Sequence, residues 1–149
     1  MPKKDGAYRL SLSDIDFHAY ILNSLHLRLS SLGISMGRVF HAYKDPIYLP
    51  NRQMQVFPDI LVLLKSNIKG SRPTEGIPIE LKVRNCSNRD YDYAHFQLYN
   101  GAEFLKNIWN VDVSHGLLVR TYNGERFELE KIAYDTLIKT CRGKNPHKK

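Results

Sequence analysis

Along the first third of the chain, Ile15, His18, Leu22, Leu25, Leu29 and Leu32 recur at steps of three and four residues. That spacing lines one face of a helix and predicts an amphipathic helix over Ser11 to Leu32, with Ser11 or Ser13 able to cap its start and Gly33 to end it. A strand is expected from Arg38 to Tyr43, and Asp45-Pro46 and Pro50-Asn51 mark turns on either side of Ile47 to Leu49. Val56 to Lys65, VFPDILVLLK, is apolar on both faces, as a central strand is. After a polar loop from Asn67 to Gly76, the stretch Ile77 to Arg84, IPIELKVR, alternates strictly. Ile77, Ile79, Leu81 and Val83 point one way, and Pro78, Glu80, Lys82 and Arg84 the other.

Asp90 or Asp92 can start a second helix reaching about Trp109, with Ala94, Leu98, Ala102 and Leu105 on one stripe. Gly101 interrupts it at a cost of about 1 kcal/mol relative to Ala, which implies close packing there. Val113 to Tyr122 reads as a strand, Asn123-Gly124 as a tight hairpin turn, Arg126 to Leu129 as the returning strand and Glu130 to Thr140 as a last helix. The order helix, strand, strand, strand, helix, strand, strand, helix predicts an α/β fold with a mixed central sheet flanked by helices.

A chain of 149 residues, 42% hydrophobic and 25% charged, has the composition of one folded domain, here spanning 1–149 with short basic ends. Its longest aliphatic run, Ile60 to Leu64, is too short for a membrane span. The opening MPKKDGAYRL has positive charge but no apolar stretch behind it, so no secretory leader is expected and an intracellular location, cytoplasmic or nucleoid-associated, is. Cys86 and Cys141 have no ligand-like neighbours and are expected as free thiols, which argues against a zinc or iron-sulfur site.

The net charge of +7 is unevenly placed. Lys3, Lys4 and Arg9 against Asp5 leave +2 at the start, and Arg142, Lys144, Lys148 and Lys149 add +4 at the end. Between Lys65 and Arg89 six basic residues face Glu75 and Glu80, a local +4. Basic ends either solubilise the protein or grip phosphates, raising affinity without reading sequence.

The chemistry concentrates in two short motifs. Pro58-Asp59 opens one apolar strand, and Glu80 and Lys82 share a face of the next. If these strands are antiparallel neighbours, the Asp59 and Glu80 carboxylates converge on one hard dication, and the Leu81 carbonyl can be a third ligand. Lys82 on the same side can orient or deprotonate a water and offset charge on a phosphate, an arrangement suited to phosphodiester hydrolysis. The plain alternative is a cross-strand ion pair worth little at a surface.

Pro58-Asp59, 20 intervening residues, then Glu80-Leu81-Lys82 between apolar flanks resembles the PD-(D/E)XK nuclease superfamily. The resemblance implies a restriction-endonuclease-like core (αβββαβ), followed here by a C-terminal hairpin and helix. It also implies that Asp59 and Glu80 bind Mg2+ or Mn2+, that Lys82 is the catalytic lysine, and that Gln97 joins them from the second helix. Asp14, Asp16 and His18 are candidates for a further site residue on the first helix. RecB-like exonucleases tend to carry a tyrosine where this chain has Gly101, and SLSDIDFH departs from the first-helix motif of archaeal Holliday-junction resolvases.

The expected activity is therefore a divalent-metal-dependent DNA endonuclease. A junction resolvase, an exonuclease and a noncatalytic nucleic-acid-binding module of the same fold are the alternatives. Arg84, Arg89, Lys144 and Lys148 are the expected phosphate contacts, and Tyr91 or Tyr93 can stack on a base or sugar. His41, His95 and His115 fall on separate elements, which does not favour a metal triad. RNA recognition finds no supporting motif. Cutting two strands in one encounter favours a homodimer or higher homo-oligomer.

Overall fold

Each helix and strand forms where an apolar stripe has a partner face to cover it. The computed structural model describes residues 14–31, 34, 36–41, 56–64 and 70–146. The caps expected at Ser11, Ser13 and Gly33, the turns between Asp45 and Asn51, the strand end at Tyr43 and Lys148 lie outside the described residues. The elements are α1 (Asp14–Ser31), β1 (Met36–His41), β2 (Ile60–Leu64), β3 (Gly76–Val83), α2 (Asn88–Asn107), β4 (His115–Thr121), β5 (Glu128–Ala133) and α3 (Tyr134–Cys141).

The five strands form one sheet in the order β1-β2-β3-β4-β5. All neighbours are antiparallel except β3 and β4, which run parallel because α2 carries the chain back between them. The sheet is thus mixed, and the fold is α/β. Alternation along the strands divides its two faces. Ile60, Val62, Ile77, Ile79, Leu81, Leu117 and Val119 pack under Phe17, Ile21, Leu22, Leu25 and Leu29 of α1. Leu61 and Leu118 face α2 and α3, where Ala94, Leu98, Ala102, Leu105 and Leu137 are fully buried. Burying a leucine of this kind stabilises by about 1.5–3 kcal/mol. No helix among the described residues is long and apolar enough to cross a membrane.

Several boundaries differ from the sequence reading, each for a local reason. α2 begins at Asn88, ahead of Asp90, because Ser87 caps it: Ser87 Oγ accepts from the Asp90 N–H at 3.1 Å and Asp90 Oδ2 accepts from the Ser87 N–H at 3.2 Å. Glu130 does not start a helix. Glu128–Ala133 is strand, in register with Arg120–His115 of β4, and α3 starts at Tyr134. Glu, Leu, Lys and Ala favour helix locally, but the open ladder edge of β4 overrides that preference.

Asn123-Gly124 is not a two-residue hairpin turn either. Six residues, 122–127, join β4 to β5. Asn123 Oδ1 accepts from the Glu125 and Arg126 N–H groups at 2.8 and 3.2 Å, and Gly124, with φ +82°, lies against α1. A Cβ there would fall 2.7 Å from Ile21 Cδ1, and Arg28 Nη1 donates to the Gly124 carbonyl at 3.0 Å. The loop is long because it docks on a helix.

Candidate active site at the end of β2 and β3

The site begins with a proline. Pro58 has no N–H for a ladder, and the carbonyls of the two residues before it are taken by α2: Asn100 Nδ2 donates to Val56 O at 2.6 Å and Gln97 Nε2 to Phe57 O at 3.3 Å. Regular strand therefore starts at Ile60, not Val56, and Asp59 stands at its head. Because β2 and β3 are antiparallel with Ile60 opposite Ile79, the next step outward sets Asp59 against Glu80.

The two carboxylates are bound to each other's strand. Asp59 N–H donates to Glu80 Oε1 at 3.0 Å, and Leu81 N–H donates to Asp59 Oδ2 at 2.9 Å. Lys82, two residues on from Glu80 along the same face, brings Nζ to 3.2 Å from Glu80 Oε2 and lies 5.8 Å from the centre of the Tyr93 ring. Glu80 is 3% exposed. Burial pushes its pKa well above the ordinary carboxylate value, the nearby charge of Asp59 pushes the same way, and Lys82 opposes both.

Of the three candidates on the first helix, His18 reaches the site. Its Nε2 lies 3.1 Å from Asp59 Oδ2 and 3.2 Å from Leu81 O. A carbonyl oxygen only accepts, so Nε2 carries the proton. Burial lowers the His18 pKa, but the hydrogen bond and charge of Asp59 and the Leu81 carbonyl outweigh it, leaving a net rise. Asp16 is exposed, and the side chain of Asp14 lies outside the described residues.

His18, Glu80, Leu81, Lys82, Val83, Asn85 and Asp90 line a cleft of about 340 Å³. Among the described residues no group of three or more His, Cys, Asp and Glu side chains forms a ready metal cage. The donors here are of another kind, carboxylates combined with a main-chain carbonyl. Asp59 Oδ2 and Leu81 O converge on one donor, the His18 N–H, beside the buried Glu80 carboxylate. Carboxylate and main-chain carbonyl oxygens are the ligand types that suit a hard dication.

The remaining sequence candidates are dispersed. Gln97 hydrogen-bonds the main chain two residues before Asp59. Arg84 does not continue the Glu80-Lys82 row: its backbone turns to φ +57°, and its guanidinium lies 4.5 Å above the Phe17 ring of α1. The alternation ends with the strand at Val83, which sequence periodicity alone extended by one residue. Arg89 is exposed in the first turn of α2. Lys144 is exposed just beyond α3, where Arg142 Nε donates to Tyr99 Oη at 3.3 Å and lies close to Glu103. His95 and His115 stand on α2 and β4, and the side chain of His41 lies outside the described residues.

Three further residues escaped the sequence reading. Asn85 and Asp90 enter the cleft, and only the Ser87-Asp90 capping spacing hints at their placement. Arg120 is the register partner of Lys82 across the parallel β3-β4 pair, with Nη2 3.5 Å from Glu128 and 3.7 Å from Glu130. A parallel pairing leaves no turn in the sequence by which to find it. Comparison of the chain with protein-family models, with curated proteins and with solved structures finds no significant match.

Proposed function

We propose that this protein is a Mg2+- or Mn2+-dependent DNA nuclease of the PD-(D/E)XK kind, acting as an endonuclease. The observation that carries the reading is the meeting of Asp59, Glu80 and Lys82 at one end of an antiparallel strand pair, lining or adjoining one cleft. The element order α1, β1, β2, β3, α2, β4, followed by a hairpin strand and helix, supports it, since it is the order expected of a restriction-endonuclease-like core.

Asp59, Glu80 and the Leu81 carbonyl would hold the dication, which supplies Lewis-acid polarisation of a phosphate and a lowered pKa for water. The protein's own groups do the rest. Reciprocal hydrogen bonds between Asp59 and the β3 segment hold both carboxylates without a long search of rotamers. Lys82, anchored by Glu80, points its ammonium along the cleft wall, where it can orient a water, exchange a proton with it and offset charge gathering on a phosphate. The Tyr93 ring beside it limits where that ammonium can move. His18 holds Asp59 Oδ2 and Leu81 O together from the α1 side. Arg89 and the basic ends supply phosphate attraction that does not depend on sequence.

The test is incubation of the purified protein with supercoiled, linear, single-stranded and four-way-junction DNA in Mg2+, Mn2+ or EDTA. Metal-dependent cleavage that Asp59→Asn abolishes upholds the reading. Binding without cleavage in any metal would replace it with a noncatalytic nucleic-acid-binding module. Activity confined to junctions or to free ends would select a resolvase or an exonuclease.

A further inference from the structure

One face of α2 grips the chain immediately ahead of Asp59. Gln97, Asn100 and Gly101 are spaced by three and four residues, so they lie together on the helix. Asn100 Nδ2 holds Val56 O at 2.6 Å and Gln97 Nε2 holds Phe57 O at 3.3 Å. At Gly101 a Cβ would fall 2.5 Å from Pro58 Cγ and 2.8 Å from Pro78 Cβ. Pro58 precedes Asp59 by one residue, and Pro78 precedes Glu80 by two on the same strand face. A single glycine on α2 is therefore the surface against which both carboxylate-bearing strands are seated.

We propose that Asn100 is a positioning residue of the site, and that with Gly101 it sets Asp59 opposite Glu80. The proposal rests on the reading of those two carboxylates as cation ligands. Its physical basis is the stiffness of the linkage. The ring of Pro58 fixes its φ and leaves only its ψ free between the Phe57 carbonyl and the Asp59 N–H, so displacement of this segment is carried toward Asp59. Asp59 has two bonds that register such a displacement, from its own N–H to Glu80 Oε1 and from Leu81 N–H to its Oδ2. Residues that orient metal ligands without touching the metal commonly change affinity by 10- to 100-fold when removed. Gly101 also gains its explanation here, since any side chain at this place must displace a proline.

The experiment compares the parent with Asn100→Leu, which keeps size and loses the donor, and with Gly101→Ala, which pushes on Pro58 directly. Amide hydrogen exchange in EDTA reads the placement of Asp59 without any metal. In both variants the Asp59 and Leu81 amides should exchange about five- to tenfold faster, the loss of one ordinary hydrogen bond, while Val119 in β4 keeps its parental rate. Mn2+ titrated by calorimetry should bind the variants at least tenfold more weakly. Should Asn100→Leu fail to fold, Asn100→Ala gives the same two readings. Parental exchange at Asp59 and Leu81, or acceleration spread equally to Val119, would overturn the positioning role. A parent that binds no Mn2+ would overturn the cation reading instead, and selective exchange at Asp59 would still uphold its placement by Asn100.

Discussion

Asp59 and Glu80 are locked reciprocally: the Asp59 main chain binds Glu80 Oε1 at 3.0 Å, and the main chain of the residue after Glu80 binds Asp59 Oδ2 at 2.9 Å. Each carboxylate is therefore placed by the strand that carries the other. The arrangement brings two negative groups together at a point where one is buried, and its consequences can be measured.

Glu80 should make the metal-free protein sensitive to pH. Its folded pKa is raised by burial first and by Asp59 second. Its contribution to stability is therefore full below the ordinary value of 4.5 and is lost as pH rises through the folded value. Glu80→Gln should flatten that part of the profile, so in EDTA at neutral pH it should melt no lower than the parent. Mg2+ at about 100 times its Kd should stabilise the parent by about 2.7 kcal/mol, on the order of 5–10 °C, and leave Glu80→Gln unmoved. Melting curves across pH and Mg2+ concentration measure both effects, and an equal Mg2+ response in the two proteins would count against Glu80 as a ligand.

Lys82 should matter to turnover more than to metal. Its Nζ is 3.2 Å from Glu80 Oε2, on the same strand face. Lys82→Ala should lower cleavage by roughly 10²-fold or more, as expected on losing a proton-transferring or charge-stabilising group. Mn2+ affinity should fall little, or rise, because a competing cation is gone. Single-turnover cleavage set beside calorimetry separates the two, and parental cleavage in Lys82→Ala would reduce the pair to a structural role.

The basic C-terminal end should act through charge alone. Removing 144–149 takes away Lys144, Lys148 and Lys149 but keeps Arg142, which is tied to Tyr99 and Glu103 and so belongs to the fold. Duplex DNA should then bind more weakly whatever its sequence, and the log-log salt slope should fall by about one unit for each phosphate the protein no longer neutralises. Fluorescence anisotropy across a salt series reads the slope, and an unchanged slope would leave the end a solubilising one.

The two thiols should differ in reactivity. Burial pushes Cys141 up to about 11, whereas Cys86 is half-buried and raised less far. In native protein at pH 8 a disulfide reagent should modify Cys86 first and Cys141 only on unfolding. Cys141 contributes stability that is whole below its ordinary value of 9.0 and is lost as pH rises from there to about 11. Mass spectrometry after timed labelling locates the modified residue.

Double-strand cleavage should require two copies. One chain presents one Asp59-Glu80-Lys82 site, and two-fold symmetry is the commonest way to pair two. Sedimentation with and without DNA at assay concentration should show a dimer. A strict monomer would be expected to nick supercoiled DNA rather than linearise it.

Much of the framework was legible in the residues, and for a local reason. Periodicity of two in Ile77 to Val83 and of three to four in Leu22, Leu25 and Leu29 follows from backbone geometry, so it survives any arrangement of the rest. The shared face of Glu80 and Lys82 came from the same rule. What local pattern could not contain were pairings between distant segments. β5 took Glu130 to Ala133 from an expected helix because β4 offered an edge, and Asn123-Gly124 became part of a longer loop because α1 offered a docking surface. Arg84 left its row at a left-handed backbone turn, and His18 was singled out from its neighbours by the reach of α1 to Asp59. The burial of Glu80 is of this kind too. Sequence placed a carboxylate on a strand face, but its raised pKa depends on α2 covering that face and on Asp59 arriving from another strand, quantities that exist only once the chain has folded.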